Sequence, residues 1–345
     1  MSIIIRSICA VFIFIWSCGI AIADGELRFA EIGDFLLESG KVIKDCRLGY
    51  RTFGKINADK SNIVLFPTWF MGTTEEILST GFVGAGKIVD TEKHFVIAFD
   101  NIGGGVSSSP SNSKAQPDKT FPEFSLRDMV KAQYILLSEH LHIKGVHAVV
   151  GISMGGMQAL QWIVMYPDFM KKAVSILGTT RTTAYDLLVW QSEIYAIEAA
   201  LVCKDKGYNA LRPIVPFHML ALKTPHYYAS KVKNDELNEM IVQTEEALKK
   251  YNPYDWIWQI KAMMTHDIFK QFGGSEQQAA KAVRSKLLVI VSEHDYMVYH
   301  KPSLVFSRLL KAESHVLSSD CGHSLFTSEH KILKTIVGDF LDKPL

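Results

Sequence analysis

One serine in this chain stands in a setting that could turn it into a nucleophile. The run Val149-Val150-Gly151-Ile152-Ser153-Met154-Gly155-Gly156-Met157 reads as a buried strand, a glycine-flanked serine and the start of a helix. That is the pattern of a nucleophile elbow, in which the serine sits on a strained turn and its oxygen projects clear of the sheet. Gly151 and Gly155 leave room where a side chain would collide with a neighbouring strand or helix. The context goes beyond a chance match. The apolar run Val146 to Val150 precedes the serine, and a helical pattern through Leu160, Trp162, Ile163 and Tyr166 follows it.

A serine hydroxyl is a weak nucleophile without an adjacent base, and the base needs a carboxylate to orient it. After such an elbow the acid and the histidine are expected in that order, each behind a later strand. The strand Leu287 to Val291 is followed by Ser292-Glu293-His294-Asp295, and the short strand His315 to Leu317 by Ser318-Ser319-Asp320-Cys321-Gly322-His323. Asp295 and His323 are therefore the candidate acid and base for Ser153. Glu293 competes with Asp295 but lies nearer the strand; His294 is disfavoured and Asp320 reads as a loop residue. Gly322 suits a turn that aims the imidazole inward. The developing oxyanion needs two donors. The N–H of Met154 is one candidate. The other is expected in the loop Pro67-Thr68-Trp69-Phe70-Met71-Gly72, from Trp69 or Phe70, with Trp69 slightly preferred. The glycine run Gly103 to Gly105 lacks the Lys-Ser/Thr of a phosphate loop and opens no helix. It is expected to shape a loop near the mouth of the site.

These residues need elements to carry them. Asp45 to Phe53, Ile63 to Phe66, Phe95 to Phe99, Val146 to Val150, Ala173 to Leu177 and Leu287 to Val291 read as strands. Most are short apolar runs of the kind buried on both faces of a parallel sheet. Phe124 to His140, with Ser125 as N-cap, Lys301 to Ala312 and Glu329 to Leu341 read as helices. Alternating strands and helices predict an α/β fold with a mostly parallel central sheet and helices on both faces. From about Thr183 to Ala282 no strand is evident. That stretch is expected to be a helical cap insertion spanning 183–282, between core segments 24–182 and 283–345.

The first 23 residues read as a signal peptide: Arg6 as the n-region, an apolar stretch from Ile8 to Trp16, and Ala21-Ile22-Ala23 as the cleavage site before Asp24. The apolar core is short for a membrane span of about 20 residues. A periplasmic or secreted protein is expected, with no membrane span once the leader is removed. The net charge of +1 gives no electrostatic case for nucleic acid. Of five cysteines, Cys9 and Cys18 fall in the leader. Cys46, Cys203 and Cys321 have no zinc-like spacing and are expected mostly as buried free thiols, with one disulfide as the alternative.

Several stretches resemble the homoserine O-acetyltransferase family of α/β-hydrolases. Leu37-Glu38-Ser39-Gly40 with Leu48-Gly49-Tyr50-Arg51-Thr52-Phe53-Gly54 is similar to its N-terminal hairpin. Asn57 to Asn62, Phe124 to Val130, Gly151 to Trp162 and Tyr251-Asn252-Pro253-Tyr254-Asp255 match further family segments. The resemblance implies an α/β-hydrolase fold and the same Ser153, Asp295 and His323. It also exposes departures. The aspartate that follows the histidine in the acetyltransferases, and holds the homoserine amine, is Ser324 here. The cap arginine that grips the homoserine carboxylate falls at Ile194. The oxyanion loop reads His-Ala-Leu-Thr-Gly in the family. A buried zwitterion needs paired charges, so homoserine is disfavoured. Arg181 matches a family arginine near the cap entrance and is a candidate anion site, with a structural role as the equal alternative.

The expectation is a serine hydrolase acting on a small ester or related acyl substrate through an acyl-enzyme, with no metal or organic cofactor. An exported protein would not meet acetyl-CoA, whereas water is always present. A homoserine O-acetyltransferase-like acyltransferase is the alternative within enzymes. A catalytically inactive binding protein is the alternative outside them. The resemblance also makes a homodimer an expectation.

Overall fold

The structure is a computed structural model and describes residues 25–202 and 209–344. An eight-stranded sheet runs in the order β1-β2-β6-β3-β7-β8-β9-β10, with β1 Arg28–Leu36, β2 Val42–Phe53, β3 Ile63–Pro67, β6 Phe95–Phe99, β7 Val146–Ile152, β8 Met170–Ile176, β9 Lys286–Ser292 and β10 Glu313–Leu317. β1 and β2 form an antiparallel hairpin, β2 meets β6 antiparallel, and the other pairings are parallel. A separate short pair joins β4 (Val83–Gly84) to β5 (Val89–Asp90). The fold is thus the α/β arrangement that the strand pattern predicts.

The apolar strands are continuous because both faces of the sheet are covered. Side chains alternate between two cores. Leu65, Ile97, Val149, Val289 and Val291 face one layer, packed with Met129, Leu160, Trp162 and Phe306. Val64, Phe66, Val96, Val150, Ile176 and Ile290 face the other, with Leu333, Val337 and Phe340. The first layer holds α2 (Leu126–Ile135), α3 (Met154–Met165) and α10 (Lys301–Leu309); the second holds α1 (Thr74–Ser79), the short α11 (Leu325–Ser328) and α12 (His330–Asp342). Leu333, Val337, Phe340 and Leu341 form the buried stripe of α12.

Boundaries shift from the expected ones for local reasons. β2 begins at Val42 rather than Asp45, because Asp45 has φ +49 opposite an irregular register at Gly33 that breaks the alternation. α2 starts after Ser125, whose hydroxyl and the Asp128 carboxylate cap each other's backbone N–H. Its last turn widens into a π-helical turn over Leu136–His140. α10 ends at Leu309, and Lys311 adopts φ +52 behind it.

Between β8 and β9 the described residues form helices: α4 Ala184–Val202, α5 Val215–Leu222, α6 Pro225–Lys231, α7 Leu237–Leu248, α8 Pro253–Met264 and α9 Glu276–Ala282. Among the described residues there, the one bridge is an isolated pairing of Arg181 with Asp267. Helix α8 lies on the glycine run of the core. A Cβ on Gly105 would come within 3.3 Å of the Asp255 carboxylate. That carboxylate accepts the Ser111 N–H at 2.9 Å and its hydroxyl at 2.5 Å. Burial outweighs these bonds and pushes the Asp255 carboxyl up to about 6. The leader and Cys203 lie outside the described residues. Cys46 and Cys321 are free thiols. Burial pushes the Cys46 thiol up to about 12.

Two predictions follow from this packing. Lys172 on β8 is 1% exposed and donates to the carbonyls of Phe340, Leu341 and Lys343 at 3.0, 2.7 and 2.5 Å. A buried ammonium therefore closes the C-terminus of α12. Lys172→Met removes this donor from all three carbonyls, of which Leu341 keeps His147 Nε2 at 2.9 Å, and should lower stability by about 1–3 kcal/mol in urea unfolding, with ester turnover unchanged; unaltered stability would contradict the role. Asp255 binds its proton at higher pH in the folded protein than in the unfolded chain. Its contribution therefore weakens stability as pH rises from about 4 to about 6. Asp255→Asn should gain on the wild type across that window and hold a constant difference above it. Parallel stability curves would contradict the assignment.

Candidate active site

Ser153 occupies the turn between β7 and α3 with φ 55 and ψ −120. Its N–H donates to the Ile176 carbonyl at 2.8 Å, anchoring the turn to β8. A Cβ on Gly151 would lie 2.1 Å from the Gly155 carbonyl oxygen, and one on Gly155 2.4 Å from that of Pro67. Both glycines are therefore steric requirements. Two more escape a reading of the motif. A Cβ on Gly156 would meet the Ile176 carbonyl oxygen at 2.8 Å, and one on Gly178 the Gly156 backbone at 2.7 Å. Only tertiary neighbours reveal that crowding.

The structure brings Asp295 and His323 to this serine. The Nε2 of His323 lies 2.8 Å from Ser153 Oγ, and its Nδ1 lies 2.7 Å from Asp295 Oδ2. A carboxylate only accepts, so Nδ1 carries the proton and Nε2 accepts from the serine hydroxyl. All three are buried. The other Asp295 oxygen accepts the N–H groups of Met297 and Val298 at 2.9 and 2.8 Å. Glu293 still belongs to the ladder, its N–H donating to the Leu317 carbonyl, and its side chain lies exposed beside His294. The Asp320 carboxylate is likewise exposed, 3.7 Å from His226. Gly322 has φ +54, and a Cβ there would approach the carbonyls of His294 and Leu222 at 3.0 and 3.1 Å.

The cap holds the loops that carry the acid and the base. The Tyr185 hydroxyl donates to the Tyr296 carbonyl at 2.8 Å, and the Asp186 carboxylate accepts the Tyr299 N–H at 2.7 Å. Asp186 also caps α4 through the N–H and hydroxyl of Thr183. Its carboxyl is raised by burial, against those bonds, and the nearby Asp295 charge adds to the rise. On the histidine side, the Thr224 N–H and hydroxyl both donate to the Asp320 carbonyl, at 3.1 and 2.8 Å. None of these clamps is visible in the sequence, because a polar residue at a helix start looks the same whether it faces solvent or a loop.

Met154 opens α3, so its N–H has no helical acceptor. In the loop after β3, the Trp69 ring packs edge-on against Phe82 and the Phe70 ring against Trp256 of the cap. Among the described residues, neither the Trp69 nor the Phe70 N–H donates to a protein acceptor. Arg181, the candidate anion site, is half of an ion pair at the cap entrance. Its guanidinium bonds Glu276 at 2.6 Å and lies 4.4 Å above the Phe269 ring. The charge is already paired, and the residue ties the cap entrance to α9. Ser324 is buried beside His323 and Ile194 is buried in α4. Next to Ile194, the Glu193 carboxylate is satisfied by His218 Nδ1 at 2.9 Å and Trp256 Nε1 at 3.0 Å. No motif in the sequence marks that buried group.

A serine on a strained strand-to-helix turn, with acid and base behind later parallel strands, is an arrangement with known counterparts. Residues 82–329 match the family model of the alpha/beta hydrolase fold. An ethyl acetate hydrolase of Pseudomonas veronii is 31% identical over 333 residues, covering 90% of this chain and 93% of that one. A homoserine O-acetyltransferase of Nautilia profundicola is 29% identical over 351 residues, covering 88% and 95%. The crystal structure of an acetylester hydrolase from Corynebacterium glutamicum superposes with a TM-score of 0.85 at 26% identity, covering 92% of this chain and 96% of that chain. With its sheet order, its elbow and these relatives, the chain belongs to the α/β-hydrolase family, among esterases and homoserine O-acetyltransferases.

Proposed function

We propose that this protein hydrolyses small uncharged esters through an acyl-enzyme on Ser153. The observation that carries the proposal is the buried relay in which His323 bridges Ser153 and Asp295 at 2.8 and 2.7 Å. His323 takes the hydroxyl proton as Ser153 attacks the carbonyl. Asp295, fixed by two backbone N–H groups, holds the tautomer and stabilises the imidazolium. The N–H of Met154 and those of the Trp69–Phe70 segment receive the oxyanion. The imidazolium then protonates the departing alcohol. Water, deprotonated by the same imidazole, releases the acid.

Water rather than an amino-acid hydroxyl is the proposed acceptor. The family resemblance puts Ser324 and Ile194 at the positions of homoserine's two charged anchors, and Arg181 is paired with Glu276. The likeness to an ethyl acetate hydrolase supports the same choice. We also propose export, on the basis of the leader pattern ending at Ala23. N-terminal sequencing of the processed protein tests this, and an intact Met1 would contradict it. Self-association is proposed through the outer face of the cap. Leu188, Tyr195 and Val202 on α4 and Phe217 and Leu220 on α5 are exposed there, an apolar surface that a second copy would cover. Light scattering of the wild type and of Leu188→Lys should give a dimer and a monomer; a monomeric wild type would contradict it.

Pre-steady-state kinetics with p-nitrophenyl acetate test the activity. The wild type should show a burst of one equivalent that Ser153→Ala lacks. Asp295→Asn should lower kcat by about 10⁴ with KM little changed. Added L-homoserine should leave the steady state unaltered. Acceleration with formation of O-acetylhomoserine would instead identify a transferase. Turnover unaffected by Ser153→Ala would overturn the site assignment.

A further inference from the structure

The oxyanion loop is held at both ends, and one of the two holds comes from the cap. At its start, the Thr68 carbonyl accepts Asn101 Nδ2 at 2.7 Å, and the Thr68 hydroxyl accepts the same group at 2.9 Å. Asn101 is braced from behind by Gln133, which also bonds Gln158 and Trp162. At its end, the Met71 N–H donates to Gln259 Oε1 at 2.8 Å. The first of these fixed peptide groups carries the Trp69 N–H and the Phe70 N–H lies between the two; neither has a protein acceptor among the described residues.

The hold at Met71 matters because the backbone there is strained. Met71 adopts φ +54, and the Gly72 N–H donates to the Trp69 carbonyl at 3.0 Å, closing a tight turn with Met71 at its third position. A left-handed conformation at a non-glycine residue persists only where its surroundings enforce it. Rotation of the Phe70–Met71 peptide would relieve φ at Met71 and reorient the turn. The acceptor at Gln259 opposes that rotation.

Gln259 is fully buried, and its own orientation is fixed. Its Nε2 donates to the Ile102 carbonyl at 3.1 Å, which leaves Oε1 facing Met71. It lies one helical turn after Asp255, so both polar side chains of α8 sit on the same glycine run. A Cβ on Gly103 would come within 3.2 Å of Gln259 Cγ, and one on Gly104 within 3.1 Å of Gln259 Nε2. The glycines of Asn101-Ile102-Gly103-Gly104-Gly105 are thus the bed on which the cap reaches the oxyanion loop.

We propose that Gln259 is a positioning residue for the reaction: from the cap, it fixes the oxyanion loop in the turn that presents the Trp69–Phe70 N–H groups. The inference rests on the assignment of Ser153 as nucleophile and of that segment as oxyanion donor. It links the cap to the chemical step, independently of any contact the cap makes with substrate.

Gln259→Met keeps the length and burial of the side chain and removes its donor and acceptor. It should lower kcat for p-nitrophenyl acetate roughly 10- to 100-fold, less than or comparable to losing one oxyanion donor outright, and leave KM near the wild-type value. The inhibition constant of ethylboronic acid, whose tetrahedral serine adduct places an oxygen in the hole, should rise in parallel. Gly104→Ala deletes no polar group and presses on Gln259 Nε2 at 3.1 Å and on the Asn101 carbonyl oxygen at 3.3 Å, so it should give the same pattern in weaker form and decides the matter if Gln259→Met does not fold. Wild-type kcat and boronate affinity in the folded variants would overturn the role of Gln259. Ester turnover that survives Ser153→Ala would instead show that the underlying site assignment is wrong.

Discussion

The whole site depends on how closely the first turn of α3 approaches β3. The Pro67 carbonyl lies against Gly155 at a distance that excludes even a methyl group, and Gly151 is pressed against the same turn. This contact lets Ser153 hold φ 55, and it sets the Met154 N–H beside the loop that follows β3. The strain at Ser153 is offset by the sheet. Its N–H is tied to β8, and β7 lies in the interior of eight strands buried on both faces. A strained backbone at a reactive residue persists only when its surroundings over-determine it. Here the over-determination comes from four glycines and the carbonyls of Pro67 and Ile176, not from the serine itself.

Around that fixed point the remaining parts sit on loops, which a parallel sheet leaves at the C-terminal ends of its strands. The cap is what makes those loops rigid. Tyr185 and Asp186 hold the loop of Asp295, Thr224 holds the loop of His323, and Gln259 holds the loop of Trp69 and Phe70. Each clamp joins a polar cap side chain to a loop backbone group, so the cap fixes chain direction instead of simply covering the site. Preorganised donors are worth most where reorganisation is small, and the Gln259 clamp, which is buried, acts on the loop that carries the candidate oxyanion donors.

The three side chains that the structure brings together were more legible in the sequence than the groups that hold them. Ser153, Asp295 and His323 could be picked out because each follows an apolar strand, and strands announce themselves by their residues. The parallel sheet was legible for the same reason. Helix and strand limits were less so, since Asp45 and Lys311 adopt left-handed backbone that no periodicity marks. Gly156 and Gly178 looked like ordinary small residues, because their crowding arises only when β8 and α3 meet. Arg181 looked available for an anion, yet Glu276, far along the chain, already holds it. Nothing in the sequence marks Asp186, Thr224 and Gln259, because a sequence does not say which polar side chain finds a backbone partner across a domain.

The central claim is that a covalent acyl intermediate forms on Ser153 and is released by water. Rapid acid quench during turnover of p-nitrophenyl acetate, followed by peptide mass spectrometry, observes that intermediate directly. The account predicts one acetyl group, confined to the peptide carrying Ser153, that accumulates within the first turnover and decays at the steady-state rate. Acetate released with no acetylated peptide, or an acetyl group on another residue, would contradict it.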